Sequence, residues 1–503
     1  MSKIIGINDG HNASAAFIEN GKIINAIQEE RYTRHKNQHG APRLAIEEIL
    51  LENNISMDNL NSIALNGNYM RYEGIERDKL MAEYNSSVSF SSIIKEKFKY
   101  SFIDKMYIQK MATARSEHLA DNGIKKELQQ PFDHHTCHAA AAYYGSGFRE
   151  ETLVLTCDGS GDRLSGSVSI GKNGKLNRIA AISEQDSIGR LYALVTYFMG
   201  MIPLEHEYKV MGLAAYVAEQ KMLTEKVKMF QDLFEFDRKN PMVWRRRKGI
   251  PAMGVATQMI NKMLHRQRFD LVAAGLQKFI ELHLTQWVKN CILETGIKNI
   301  VLGGGVFMNV KANKAILELQ ELDKLFIFPS CGDETNSIGA AYLAHVSDNI
   351  SSNKPLNIEK VENVYWGREN TDSEIETEIN KFNEDNNYTI KYDDNIEETV
   401  ASALAEGKIV ARSKGKMEFG ARSLGNSSIL SRADKVENIP IINDMIKNRD
   451  FWMPFAPSVL AERADDYYYK PKPMSSPFMI MSFDSKPEMR DRYLAGQHAY
   501  DFT

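Results

Sequence analysis

The chain has 503 residues, 43% hydrophobic and 25% charged, with a formal net charge of −4; this is the balance of a globular protein with room for several domains, and it gives no reason to expect general nucleic-acid binding. Its four cysteines, Cys137, Cys157, Cys291 and Cys331, have no CxxC spacing, which argues against a disulfide framework or a zinc knuckle and fits a reducing, cytoplasmic setting. The N-terminus MSKIIGINDG lacks the apolar core of a secretory leader and no run reaches about 18 apolar residues, so neither secretion nor a membrane span is expected.

KIIGIND (Lys3 to Asp9) predicts an apolar strand ending in Asp-Gly, and HNASAAFIEN a second strand. Asn20-Gly21 is a hairpin signal leading into a third strand, KIINAIQEE. EERYTRHKNQ, polar and charged, is expected as a loop, RLAIEEILLENN as an amphipathic helix and NSIALNGN as another buried strand. Tyr72 to Gly123 reads as an inserted helical hairpin.

From Asp133 to Asp162 the chain reads DHHTCHAAAAYYGSGFREETLVLTCDGSGD. If AAAAYY continues a helix, His134 and His138 share one face, a turn apart. TLVLTCDG is a buried strand expected to stop at Asp158 and a Gly-rich turn. Two neutral nitrogens and a carboxylate suit a divalent transition metal better than Ca²⁺ or bare Mg²⁺. Taken alone, such a histidine pair is as readily two helix residues in ordinary hydrogen bonds. RLSGSVSIGKNGKLNRIAAI then gives a strand, an Asn173-Gly174 hairpin and a third strand. ENGKIINAI and KNGKLNRIAAI are two editions of one hairpin, so an internal duplication is expected. Two lobes that each open with strand, Asp-Gly turn and strand are the plan of the actin and sugar-kinase superfamily, in which the turns grip nucleotide phosphates; that step is an analogy of fold.

EHEYKVMGLAAYV places Glu207 and Lys209 just before a small-residue helix, where lone charges are ordinarily surface residues. WRRRK (Trp244 to Lys248) reads as a solvated basic loop. Gly254 to Glu294 is one long helical pattern. NIVLGGGVFMNVKANKAI is a strand, three glycines and a helix with Asn309 and Asn313. Glycines at 303 to 305 would let a ligand approach and leave N–H groups free for an anion. The spacing is neither a P-loop nor a dinucleotide fingerprint. KLFIFPSCGDETNSIGAAYLAH repeats the plan, and its Asp333 is the natural fourth ligand for the histidines. SDNISSNKPLNIEKVEN is a linker by composition. A separate α/β piece follows, with a helix IEETVASALAEG, a strand KIVARSKG and an expected helix IPIINDMIKNRDFWMPFAP. Arg412, Lys414, Arg422, Lys447 and Arg449 form a set of cations suited to a small phosphorylated anion, or a set of solvated charges.

HNASAA, EERYTRHK, HHTCHAAAA, TCDGSGD, EYKVMGLAA, LGGGVFMN, PSCGDETNSIGAA, MEFGARSLGNSSIL and MPFAPSVLAE follow one another in this order. Together they resemble the O-carbamoyltransferase family of nodulation-factor, cephamycin and tobramycin biosynthesis, from residue 3 to the C-terminus. The resemblance implies an α/β protein: a duplicated actin- or sugar-kinase-like (ribonuclease H-like) two-lobed domain over residues 1–368, with an insertion at about 72–123, and a smaller α/β domain over 369–503 similar to threonylcarbamoyl-adenylate synthases. In such enzymes the second domain makes carbamoyl-adenylate from carbamoyl phosphate and ATP. The first, similar to tRNA threonylcarbamoyl transferases, moves the carbamoyl group to an acceptor hydroxyl. The implied cofactors are ATP with Mg²⁺ and a divalent metal, iron, although the same donors would take Zn²⁺, Mn²⁺ or Ni²⁺. The implied partners are carbamoyl phosphate and a hydroxyl-bearing small molecule or glycan.

Carried over position by position, His134, His138, Asp158 and Asp333 match the metal ligands. His11 matches a residue close to the transfer chemistry and is expected, with Lys209, to be catalytic. Glu207, Lys209, Gly304, Gly305 and Asn309 match the nucleotide cleft. Arg422, Lys447 and Arg449 match cations that hold carbamoyl phosphate and nucleotide phosphate. Ser427 stands where the family often has an arginine. The family normally continues beyond the position of Thr503, so a truncated or divergent second domain is expected, with its adenylation at stake. The competing readings are a tRNA-modifying threonylcarbamoyl transferase, a non-catalytic nucleotide- and metal-binding protein, and, at the level of fold, a sugar kinase.

Overall fold

The computed structural model describes residues 2–70, 79, 81, 82, 84, 101–217, 220–352, 355–385 and 389–494. The chain forms two compact units: among the described residues, one holds those up to Asn363 together with Pro471–Phe483, the other Val364–Lys470 with 484–494.

The first unit opens with β1 (Lys3–Asn8), β2 (Ser14–Glu19) and β3 (Lys22–Gln28), an antiparallel meander. Its Asn20-Gly21 turn has φ of 52° and 86°, the positive pair that a two-residue hairpin requires. α1 (Arg43–Glu52) leads to β4 (Ser62–Asn66), parallel to β1. α2 (Phe102–Asp121) leads to β5 (Gln129–Phe132), parallel to β4. The strand order is β3-β2-β1-β4-β5. β1 is buried on both faces, with Ile4, Ile5 and Ile7 at 0% exposure, which is why it reads as a continuous apolar run.

The second half repeats this plan. After α3 (His134–Ser146) come β6 (Thr152–Gly161), β7 (Leu164–Lys172) and β8 (Lys175–Ser183). α4 (Ile188–Phe198), α5 (Glu207–Leu213), the hairpin β9 (Phe234–Phe236) with β10 (Trp244–Arg246), and α6 (Phe269–Thr295) follow. β11 (Asn299–Gly303), α7 (Val310–Leu317), β12 (Lys324–Ile327) and α8 (Asn336–Ser351) complete the lobe. The order β12-β11-β6-β7-β8 is the first sheet's order over again, with β11 parallel to both β6 and β12. This duplication is the actin and sugar-kinase-like, ribonuclease H-like architecture, expressed in strand order and direction.

Several local expectations change. The segment expected as a polar loop contains one helical turn, Glu30–Thr33, closed by Arg34 at φ 60°. β6 does not stop at Asp158 but runs on to Gly161 through an irregularity in its pairing with β7. The long helical pattern breaks into Thr257–Leu264 and α6. WRRRK is not a loop throughout: Trp244 has 0% exposure, its indole donates to the Asp186 carbonyl at 2.8 Å, and Arg246 donates to the Asp186 carboxylate at 2.7 Å. α8 takes in SDNIS from the expected linker, and Val361 further on donates its N–H to Gly145 O at 2.8 Å. Of the insertion, α2 is described, while most of 71–100 and the C-terminal QHAYDFT lie outside the described residues.

The second unit contains α9 (Asp372–Asp385), α10 (Ile396–Ala405) and an antiparallel pair, β13 (Val410–Ser413) with β14 (Ser427–Leu430). The helix expected through Pro457 ends early: Asn438–Pro440 passes into a wide π-type turn, Ile441–Ile446. Among the described residues no helix is long and apolar enough to cross a membrane.

Candidate metal centre and its surroundings

His134 is the first residue of α3 and His138 lies one turn on, both 1% exposed. Asp133 caps the helix, its carboxylate accepting from Thr136 N at 2.8 Å. Asp158 projects from the irregular stretch of β6, and Asp333 opens the turn after β12. α3 and α8 meet at Gly339, where a Cβ would lie 2.0 Å from the Cys137 carbonyl oxygen. That close approach brings the start of α8, and Asp333 before it, up to the histidines.

One donor atom from each of His134, His138, Asp158 and Asp333 lies within 4.8 Å of all the others. His134 Nε2 is 3.3 Å from Asp158 Oδ2 and 3.6 Å from Asp333 Oδ1. His138 Nε2 is 3.9 Å and 3.3 Å from the same two oxygens. Four ligands at about 2.1 Å around a tetrahedral ion stand ~3.4 Å apart, so these separations fit such an ion. Asp333 Oδ1 is also a buried oxygen without a hydrogen-bond partner.

Electrostatics points the same way. Burial pushes the Asp333 carboxyl up to about 8, and the neighbouring Asp158 adds to the shift. Burial opposes the charge of His134, but Asp333 and Asp158 outweigh it and hold this imidazole up at about 9. Burial and the His134 charge drive His138 down to about 3. A divalent ion at this point would offset the repulsion between the two buried carboxylates and displace protons that the cluster otherwise shares. The donor set fits a transition metal: two imidazoles and two carboxylates.

His11 lies in the turn after β1. Burial and the adjacent His39 push its pKa down to about 4, and Asp158 pulls part of the way back. His11 Nδ1 is 3.4 Å from His39 Nε2. Asn12 donates to Glu334 Oε2 at 3.3 Å, which ties this turn to the residue beside Asp333. Burial pushes Glu334 up to about 7.

The glycine turn after β11 does not leave its N–H groups free for an anion, contrary to the sequence expectation. Gly304 N donates to Cys331 O at 2.9 Å and Gly305 N to Asp158 Oδ1 at 3.1 Å. Gly304 has φ 100°, and a Cβ there would meet Cys157 O at 2.3 Å; only glycine fits. The turn thus fixes Asp158. Asn309 caps α7 through Ala312 N at 3.0 Å and forms a reciprocal amide pair with Gln277 of α6, at 2.8 and 3.0 Å. Burial pushes Glu207, at the start of α5, up to about 7, and it accepts from Leu204 N at 2.7 Å. Lys209 follows on the same short helix.

In the second unit, Lys447 and Arg449 leave the wide turn close together. Burial and the Arg449 charge lower the Lys447 pKa. Arg449 Nε donates to Asn443 Oδ1 at 2.5 Å, and its guanidinium lies 4.4 Å over the Phe455 ring. Arg422 sits in the turn between β13 and β14. Lys414 of the expected cation set pairs instead with Glu397.

Sequence reading missed two organising residues. Gln277 lies on the otherwise apolar face of α6, 3% exposed; a polar residue in that stripe was its only signal. Glu418, 6% exposed, accepts from Leu424 N at 2.7 Å, Asn426 N at 2.9 Å and Ser427 N at 3.3 Å, so it shapes the turn that carries Arg422. A carboxylate between Met417 and Phe419 was the available clue.

The chain matches the carbamoyltransferase N-terminus over residues 3–342 and the carbamoyltransferase C-terminus over residues 401–503. It is 32% identical to an uncharacterized protein of Methanocaldococcus jannaschii over 96% of this chain and 83% of that one. It is 28% identical to the nodulation protein NolNO of Sinorhizobium fredii, over 93% and 65% respectively. Component A of (R)-2-hydroxyglutaryl-CoA dehydratase from Acidaminococcus fermentans superposes with a TM-score of 0.36 at 13% identity, covering 69% of this chain and 99% of that one. Matched over residues 3–342 and again over 401–503, the chain belongs to the carbamoyltransferase family, enzymes that transfer a carbamoyl group.

Proposed function

We propose that the protein is an ATP-dependent O-carbamoyltransferase. Water cleaves carbamoyl phosphate to carbamate and inorganic phosphate, and a carbamate oxygen attacks the α-phosphate of ATP, giving carbamoyl-adenylate and releasing pyrophosphate. The carbamoyl group then passes to a hydroxyl of a small-molecule or glycan acceptor, and AMP leaves. The observation that carries this reading is the shared use of Asp158: one oxygen faces the histidines and the other holds Gly305 of the glycine turn.

The residues divide the work. Arg422, Lys447 and Arg449 bind carbamoyl phosphate and the phosphates of ATP, offsetting the charge that develops during adenylation. Glu207, Lys209 and the Gly304–Asn309 turn bind the nucleotide of the adenylate. His134, His138, Asp158 and Asp333 hold a divalent ion, iron in this reading, which supplies Lewis-acid polarisation of a carbonyl or phosphate oxygen. His11, whose neutral form is favoured by desolvation and by the adjacent His39, takes the acceptor hydroxyl proton.

The test is incubation with ATP, Mg²⁺ and carbamoyl phosphate. Pyrophosphate and AMP are expected, each dependent on carbamoyl phosphate. ADP as the sole nucleotide product would favour a kinase and refute the proposal. A screen for metabolites that gain one carbamoyl mass then identifies the acceptor.

A further inference from the structure

Arg115 lies on α2, within the inserted segment, and belongs neither to the metal centre nor to the cation set of the second unit. It is 2% exposed. Its Nε and Nη2 donate to the two oxygens of Asp9, at 2.8 and 2.5 Å. Its Nη1 donates to Gly67 O at 2.7 Å and its Nη2 also to Asn66 O at 2.8 Å. One guanidinium therefore closes the ends of β1 and β4 together. Asp9 is the first lobe's counterpart of Asp158, since each is the Asp of an Asp-Gly pair where the regular pairing of its sheet's first strand ends: after β1, and within β6 just past Cys157. The two copies have diverged: Asp158 faces imidazoles, while Asp9, 0% exposed, is taken up by a fixed cation.

The contacts continue from Arg115 to the metal centre. Next to Gly67, Asn68 donates its backbone N–H to Asp162 Oδ2 at 2.9 Å and its side-chain amide to the same oxygen at 3.2 Å. That oxygen also accepts the backbone N–H of His134 at 2.8 Å. A second branch reaches His11: Asn66 Nδ2 donates to Asn8 Oδ1 at 2.9 Å, and Asn8 Nδ2 donates to His11 O at 2.7 Å.

We propose that Arg115 is a positioning residue of the metal centre, holding Asn66 and Gly67 so that Asn68 and Asp162 fix the first turn of the helix that carries His134 and His138. This rests on those two histidines, with Asp158 and Asp333, being metal ligands. The inserted segment thereby has a structural role, because α2 braces the centre from the opposite lobe.

The test is Co²⁺ titration of the full-length protein, followed through the ligand-field absorption of the bound ion. R115K keeps the charge but loses the planar fork; Co²⁺ binding is expected to weaken about 10- to 100-fold, the usual range for groups that orient ligands, with an altered absorption envelope. D162N is expected to act in the same direction, and the R115K/D162N double variant to lose less than the product of the single losses, since both break one chain of contacts. Asn68 is exposed, so N68A folds even if R115K does not; a several-fold weakening is expected. L119A, which truncates a side chain of the same helix with 0% exposure, is expected to lower Tm and leave Co²⁺ affinity unchanged.

Wild-type Co²⁺ affinity in R115K, or in both N68A and D162N where R115K does not fold, overturns the proposal. So does L119A weakening Co²⁺ as much as R115K at equal loss of Tm. H138A separates the underlying reading: if it binds Co²⁺ like the wild type, the ligand assignment has failed; if it abolishes binding while R115K does not weaken it, only the brace has failed.

Discussion

Asp158 serves two neighbours, and substitution separates its roles from the rest of the machinery. In D158N one donor to the cation weakens, while an amide oxygen can still accept from Gly305 N. The expected outcome is loss of high-affinity divalent-metal binding and a fall in carbamoyl transfer of at least ~100-fold, with carbamoyl-phosphate-dependent ATP–pyrophosphate exchange retained. Retained tight metal binding would remove Asp158 from the ligand set. Glu207 gives a pH signature. Its folded pKa of about 7 lies above the ordinary carboxyl value of 4.5, because burial opposes its charge. Below pH 4.5 the acid is protonated in both folded and unfolded chains and costs nothing. As pH rises from 4.5 through 7 the unfolded chain ionises first, so stability is lost, and the loss levels off above 7. E207Q lacks this group, so the Tm of the wild type minus that of E207Q should fall between pH 5 and 7 and stay flat near 8. A constant difference across that range would show that Glu207 ionises normally.

At the scale of elements, the centre depends on two helices that approach more closely than side chains allow. α3 and α8 touch where Gly339 faces the Cys137 carbonyl, and His138 and Asp333 lie on either side of that contact. G339A forces the helices apart, because a Cβ and a backbone oxygen cannot share the space. The expected cost is about 1–3 kcal/mol of stability, read as a lower midpoint in urea, together with weaker Co²⁺ binding. A variant with the wild-type midpoint would mean that the helices can separate at no cost. β6 makes the complementary adjustment. Its irregular pairing between Cys157 and Gly161 re-aims Asp158 while the strand continues, as bulges near functional sites do.

For the whole molecule, two compact units imply two separable losses. Arg449 stacks on Phe455 beside Lys447 in the second unit, whereas the four metal-site side chains all belong to the first. R449A should lower carbamoyl-phosphate-dependent pyrophosphate formation by at least ~10-fold and leave Co²⁺ affinity unchanged. Equal loss of both would show that the substitution unfolds the chain rather than disabling one site. The duplicated architecture was legible beforehand because strands buried on both faces must be apolar runs, and because Asn20-Gly21 and Asn173-Gly174 mark two copies of one hairpin. The donor set was legible too, since histidines four apart on a helix and carboxylates at strand ends are local patterns. The occupants of the N–H groups of Gly304 and Gly305 were not legible, nor was the partner of Asp9. Those bonds join residues far apart in the chain, to Cys331, Asp158 and Arg115, and no local period encodes them. The amino-acid order by itself determined the elements, the repeat and the kinds of atoms available for chemistry. Only the tertiary packing decided that Asp158 meets imidazoles while its duplicate meets a guanidinium, because long-range contacts and burial, not sequence spacing, choose each carboxylate's partner.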